Sequence, residues 1–159
     1  MTRVIREENR VSGLVATSNI SDTTPIVLWA DPVTHRLLVN SVNVAVGVTP
    51  FRLLSANSTN GTNIKSSSGN LYGWSITNTN ASIRYVKVYD KSTTPSVGTD
   101  TPILTIMIPG NANGTGNNIF ISGGMAFTNG LGIGITTGAP DNDTGAVGAN
   151  EVIVNMFYN

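Results

Sequence analysis

At 159 residues, with nine basic residues balancing nine acidic ones, the chain has room for one sizeable core and no electrostatic field to draw in nucleic acid or anionic lipid. It has no cysteine, which excludes disulfides, thiolate chemistry and Cys-based zinc sites. Glutamine is absent, Ala, Leu, Glu and Lys are sparse, and Gly, Asn, Ser and Thr fill the gap, so good helix formers are scarce and an all-β class is expected.

In chain order, residues 1–15 carry Arg3, Arg6, Glu7, Glu8 and Arg10 around Val4 and Ile5. They read as an extended arm or a single helical turn. No long apolar run follows these basic residues and no window approaches a membrane span, so neither a secretory signal nor a transmembrane segment is predicted. Pro25 to Trp29 is a short strand, and Asp31-Pro32 opens a turn. Leu37 to Val46 resumes a strand, in which Val42, Val44 and Val46 alternate with Asn43 and Ala45. Residues 26–46 therefore form an expected hairpin or ribbon, and a hairpin alone is marginal in water, so it needs a partner surface.

Gly47 to Pro50 reads as a junction, Phe51 to Leu54 as the first strand of the main body, and Ser55 to Gly69 as a long polar loop. The strand 70–78 should place Leu71, Gly73 and Ser75 on one face and Tyr72, Trp74 and Ile76 on the other. In strand 83–90, Val86 and Val88 oppose Tyr85, Lys87 and Tyr89. The strand 103–108 lies between Pro102 and Pro109. Asn118 to Ser122 is a short strand, and Gly123 to Phe127 leads into Gly130 to Thr136, where apolar residues alternate with glycine. Another backbone or a bulky ring is expected over those glycines. Thr137 to Asn150 is a turn-rich excursion, and Glu151 to Tyr158 is the closing strand. About seven or eight short strands with regular turn signals predict an antiparallel β-sandwich or jelly-roll-like domain over residues 47–159. Residues 1–46 are expected to form an extended N-terminal docking arm with a β-hairpin.

No constellation in the sequence carries catalysis. His35 is the one histidine; it sits beside Arg36 in a turn and reads as a surface or packing residue, since a triad needs a base positioned beside a nucleophile. Asp141-Asn142-Asp143-Thr144-Gly145 fails the EF-hand pattern, with Gly145 at the fifth position and Val152 at the twelfth, and reads as an Asx-type turn. Asp90, Asp100, Asp141, Asp143 and Glu151 sit mostly at turns or strand ends rather than as a glycosidase pair. The glycine-rich run 110–116 lacks the Lys-Ser/Thr of a phosphate loop. Trp29, Tyr72, Trp74, Tyr85 and Tyr89 are candidates for an aromatic sugar platform, with core or interface anchoring as the plainer reading.

A set of motifs then stands out in order: Gly73 and Trp74; Asn78 and Asn80; Arg84-Tyr85-Val86-Lys87-Val88-Tyr89; Val97-Gly98-Thr99-Asp100-Thr101-Pro102; Ile106 to Gly110; Gly123-Gly124-Met125-Ala126-Phe127; Asp141-Asn142-Asp143; and the final strand ending at Tyr158. In this order they resemble a family of small β-sandwich proteins of tailed bacteriophages. The segment Leu28-Trp29-Ala30-Asp31-Pro32-Val33-Thr34-His35-Arg36-Leu37-Leu38-Val39 is similar to a leader segment common in phage virion proteins. The resemblance implies a virion structural component, with decoration, cement, head-fibre and tail roles, and implies no catalytic residue.

The expectation is a capsid decoration or cement protein that docks through its N-terminal arm and β-edges. The alternative is a tail- or fibre-associated module that binds a receptor or glycan. The expected assembly-interface residues are Val4, Ile5, Trp29, Leu37 and Val39. The expected partners are other virion proteins (a major capsid protein, or tail and neck proteins) and further copies of the chain, with no nucleic acid and no membrane. The expected location is the virion, assembled in the host cytoplasm. No enzymatic activity, catalytic residue, cofactor or metal is expected.

Overall fold

A strand with one apolar face has to bury that face, and a chain of such strands does so most compactly by closing two sheets over each other. A computed structural model describes residues 15–17, 25–27, 47–111 and 113–159. The chain divides into two units, residues 1–45 and 46–159. In the first, β1 (Val15–Thr17) pairs antiparallel with β2 (Pro25–Val27), Val15 facing Val27 and Thr17 facing Pro25. β2 lies within the strand expected at 25–29. The strand expected at 37–46 lies outside the described residues.

The second unit holds eight strands: β3 (Thr49–Leu54), β4 (Thr62–Lys65), β5 (Gly69–Asn78), β6 (Arg84–Asp90), β7 (Leu104–Ile108), β8 (Thr115–Phe127), β9 (Leu131–Thr136) and β10 (Val152–Tyr158). There is no helix among the described residues. One sheet has the order β3-β10-β5-β8 and the other β4-β9-β6-β7, and every ladder is antiparallel. The pairing is nested. The β6–β7 hairpin is innermost, β5 pairs with β8 outside it, β4 with β9 outside that, and β3 with β10 last. Apart from β6 to β7, each connection crosses from one sheet to the other. An eight-stranded double sheet wound in this way is a jelly roll.

The core forms between the sheets. Leu71, Trp74 and Ile76 of β5 and Val152, Val154 and Met156 of β10 face Val86 and Val88 of β6, Ile106 and Ile108 of β7, and Leu131, Ile133 and Ile135 of β9. Each large apolar side chain taken fully out of water contributes roughly 1.5–3 kcal/mol before chain entropy is subtracted. Strand 84–90 alternates as its sequence predicts, with Val86 and Val88 inward and Tyr85, Lys87 and Tyr89 on the other face.

Three local expectations are corrected. Residues 55–69 are not one loop, because β4 lies inside them. Thr62-Asn63-Ile64-Lys65 has a single strongly apolar residue and no legible alternation, and its strand character comes from the ladder with β9. Residues 118–127 are not two pieces, because β8 runs unbroken from Thr115 to Phe127. The faces of β5 also switch halfway. Leu71 and Trp74 both enter the core, although simple alternation puts them on opposite sides. Tyr72 is an extra residue: Leu71 pairs with Tyr158 and Gly73 with Phe157, while on β8 the partners of Leu71 and Gly73 are Met125 and Phe120. This bulge resets the phase of the strand. It requires glycine at 73, where φ is +154° and a Cβ would collide with the Ile119 carbonyl oxygen.

The glycines of β9 are used as expected. The Pro95 ring lies over Gly132 and the Val97 side chain over Gly134, so the β6–β7 connection covers the outer face of its own sheet. β9 is consequently buried on both faces.

One end of the sandwich is closed by Asn78, which is fully buried. Its Nδ2 donates to the carbonyls of Ser82 (2.9 Å) and Pro109 (3.0 Å), and its Oδ1 accepts the Asn80 amide at 2.9 Å. The link ties β5 of one sheet to the end of β7 in the other. Asn78→Ala leaves those groups unpaired in a dry site, so a loss of about 2–3 kcal/mol is expected. Urea unfolding followed by tryptophan fluorescence measures it.

Candidate functional site

Four of the five carboxylates considered for a catalytic pair, all but Asp141, are engaged as braces. Asp90 accepts the Thr128 hydroxyl at 2.6 Å and the amides of Asn129 (2.7 Å) and Gly130 (3.1 Å), fixing the β8–β9 turn. Its carboxyl is held down from an ordinary 3.8 to about 2, chiefly by the Thr128 hydroxyl and further by those amides. Asp100 pairs with Lys91 and accepts the Ser96 amide, and the Lys91 hydrogen bond lowers its pKa. Glu151 accepts Arg84 Nε and Asn80 Nδ2, at 2.8 and 2.7 Å; the Arg84 bond is the main reason its pKa is lowered. Asp143 Oδ1 accepts the amides of Gly138 and Gly145, at 3.1 and 3.0 Å, which is the Asx-type turn expected there. Among the described residues no three His, Cys, Asp or Glu side chains are grouped so as to hold a metal ion.

The outer face of the β6 sheet carries a buried polar pair under two loops. Lys87 is fully buried, and its ammonium donates to the carbonyls of Pro140, Asp141 and Asp143 at 2.5, 3.3 and 3.4 Å. This holds the 137–145 excursion against the sheet. Tyr89 is also buried, with a hydroxyl that has no hydrogen-bond partner among the described residues. Burial, reinforced by the charges of Asp100 and Asp141, pushes its pKa up to about 12. Of the five aromatics proposed as a sugar platform, Trp74 packs in the core and donates Nε1 to Asn117 Oδ1 at 3.0 Å. Tyr89 is covered, Tyr72 and Tyr85 are half-buried, and Trp29 lies outside the described residues. The aromatics described do not assemble into an open platform.

What remains open is a sheet edge. β8 is 13 residues long and, among the described residues, is bonded to β5 on one side only. It contains neither a charged residue nor a proline. Phe120 stands 78% exposed and Ile119 49% exposed on it. Alongside runs β7, the edge of the other sheet, with Met107 at 51% exposure and Ile103, just before the strand, at 52%. Asn117 joins the two edges by donating Nδ2 to the Met107 carbonyl at 3.3 Å, while accepting from Trp74. An unpaired strand with apolar side chains is a template for another strand, and an exposed aromatic in its middle is the kind of residue that anchors an interface.

The other edges are guarded. β3 exposes Pro50 and Arg52, β4 is four residues long with Lys65 at its end, and β7 is five residues between Pro102 and Pro109. Sequence reading did not name Phe120 or Ile119. The signal was present, since Asn118 to Ser122 is apolar and uncharged, but which face of which strand stays open depends on the strand order. The residues expected to form the interface, Val4, Ile5, Trp29, Leu37 and Val39, lie outside the described residues, as does His35.

No protein-family model matches the chain, and no curated protein matches it. Among solved structures, the tobacco streak virus coat protein (C2 crystal form) is similar at 13% sequence identity and a TM-score of 0.34, over 74% of this chain and 88% of that one. A likeness of that size carries nothing from that protein to this one.

The Asp90 brace has a definite pH signature. Its folded-state pKa is depressed, so its contribution is fully present above the ordinary carboxylate value and is lost as pH falls toward about 2. Thermal melts between pH 5 and 2 should show wild type losing its advantage over Asp90→Asn, with the two curves converging at the acid end. A constant gap would mean that the charge on Asp90 does not stabilise the turn.

Proposed function

We propose that this chain is a structural component of a virion, a capsid decoration or cement protein that docks through residues 1–46 and its sheet edges. The observation that carries the reading is the 13-residue uncharged β8 edge with Phe120 exposed on it. An edge of that kind suits pairing with another chain better than it suits water. The resemblance of its ordered run of motifs to small β-sandwich proteins of tailed phages is in keeping with it. The commitment of Asp90, Asp100, Asp143 and Glu151 to turns and ion pairs supports a role without catalysis.

The mechanism is burial of area combined with strand addition. Val4, Ile5, Trp29, Leu37 and Val39 of the arm would lie on neighbouring subunits, each contributing roughly 1.5–3 kcal/mol when fully buried. Copies repeated around a symmetric particle then gain through effective concentration. The partners would be a major capsid protein, or tail and neck proteins, together with further copies of this chain. The place of action would be the virion.

Co-sedimentation with particles purified from the source that encodes the chain tests the reading. The full chain should pellet with the particles. A chain of residues 47–159 should stay in the supernatant with a β-rich circular dichroism spectrum, since every described residue of the hydrophobic core lies within it. Equal pelleting of both would remove the arm from the docking mechanism. Pelleting of neither would end the virion reading.

A further inference from the structure

We infer that the β8 edge is a self-association surface: two copies pair antiparallel through residues 115–120 about a two-fold axis and join their β3-β10-β5-β8 sheets into one continuous eight-stranded sheet. This deepens the assembly reading, on which it rests, by naming the surface and its occupant.

Four observations select a second copy as the occupant. The first is charge. Residues 115–127 carry none, so an antiparallel copy brings no like-charge contact and leaves no ion unpaired. Residues 3–10 of the same chain would instead set Arg3, Arg6, Glu7, Glu8 and Arg10 against this uncharged edge, where burying an unpaired charge is costly. The second is regularity. From Thr115 to Phe120 the strand pairs residue for residue with β5, from Asn78 back to Gly73, and the irregularity begins only beyond Phe120. Residues 115–120 are therefore the part of β8 straight enough to accept another strand.

The third observation is closure. Pairing of β8 with the opposite edge of the same sheet in another copy would propagate into a filament. That opposite edge is β3, whose Pro50 and Arg52 are exposed, and proline and arginine on an edge block strand addition. The permitted contact is β8 with β8, which closes at two. The fourth is the anchor. Phe120, the most exposed large apolar side chain described, lies at the end of the straight segment and would be covered by the partner, as expected of an interface hot spot.

The test is sedimentation equilibrium of the full-length free protein across a dilution series, with no particles present, so that its outcome is independent of virion attachment. Wild type should show a monomer–dimer equilibrium. Phe120→Lys should weaken it by roughly tenfold or more, and Asn118→Lys, at an exposed position within the straight segment, should weaken it in the same direction. Circular dichroism checks that both variants fold; if Phe120→Lys does not, Asn118→Lys decides alone. A wild type that stays monomeric throughout overturns the inference, including the case in which the β8 amides of that monomer resist hydrogen exchange because another segment of the same chain covers them. Association that persists unchanged in the folded variants, or that grows into open-ended oligomers, also overturns it.

Discussion

The domain depends on one constraint: residues 49–90 fold back antiparallel onto residues 104–158 as a nested set of pairs. Among the described strands of this unit, β6 and β7 form the only connection that stays within a sheet; every other pair joins strands farther apart in sequence. Closing such loops costs entropy before any contact repays it, so no outer pair is stable without the ones inside it. The side chains reflect this order. β9, bonded between β4 and β6, is buried on both faces, with Leu131, Ile133 and Ile135 in the core and two glycines admitting Pro95 and Val97 on the outside. A side chain at either glycine would lift the β6–β7 connection off the sheet.

Because the loops cross between sheets, polar residues on the strands are drawn into tying strand ends and loops to the sandwich. Asn78 reaches from one sheet to the end of the other, Arg84 meets Glu151 across the β6 and β10 ends, and Lys87 is capped by three carbonyls of the 137–145 excursion. These groups are hydrogen-bonded because a dry, unpaired polar atom would cost more than the pairing gains. The same arrangement accounts for the absence of a catalytic reading. Asp90, Asp100, Asp143 and Glu151, which look available in the sequence, accept hydrogen bonds from turn amides and from Arg84 or Lys91. The Tyr89 hydroxyl is the exception, buried without a partner among the described residues.

A wound double sheet still has open edges, and here they are unequal. Three are short or carry proline, arginine or lysine, whereas β8 is long, uncharged and crowned by Phe120. Natural sheets that avoid association protect such strands. The lack of protection on one edge of four would give the molecule a direction in which to assemble, and the proposed β8–β8 contact would confine growth to a closed pair rather than a fibre.

Much of this was determined by the sequence alone. Scarce helix formers, alternating valines at 86 and 88, prolines bounding 103–108 and glycines spaced through 130–136 established an all-β domain and most of its strands, because these are local properties of neighbouring residues. The Asx turn at Asp143 was legible for the same reason. β4 was not, since four largely polar residues become a strand only when β9 offers its hydrogen bonds. Nor was the switch of faces at Tyr72, which exists because two neighbouring strands count residues differently from β5. The identity of the open edge was also decided by tertiary structure: Ile119 and Phe120 look like core residues in the sequence, and their exposure follows from β8 standing last in its sheet. Strand order is a non-local property, set by which distant segments win the same hydrogen bonds, and no window of sequence contains it.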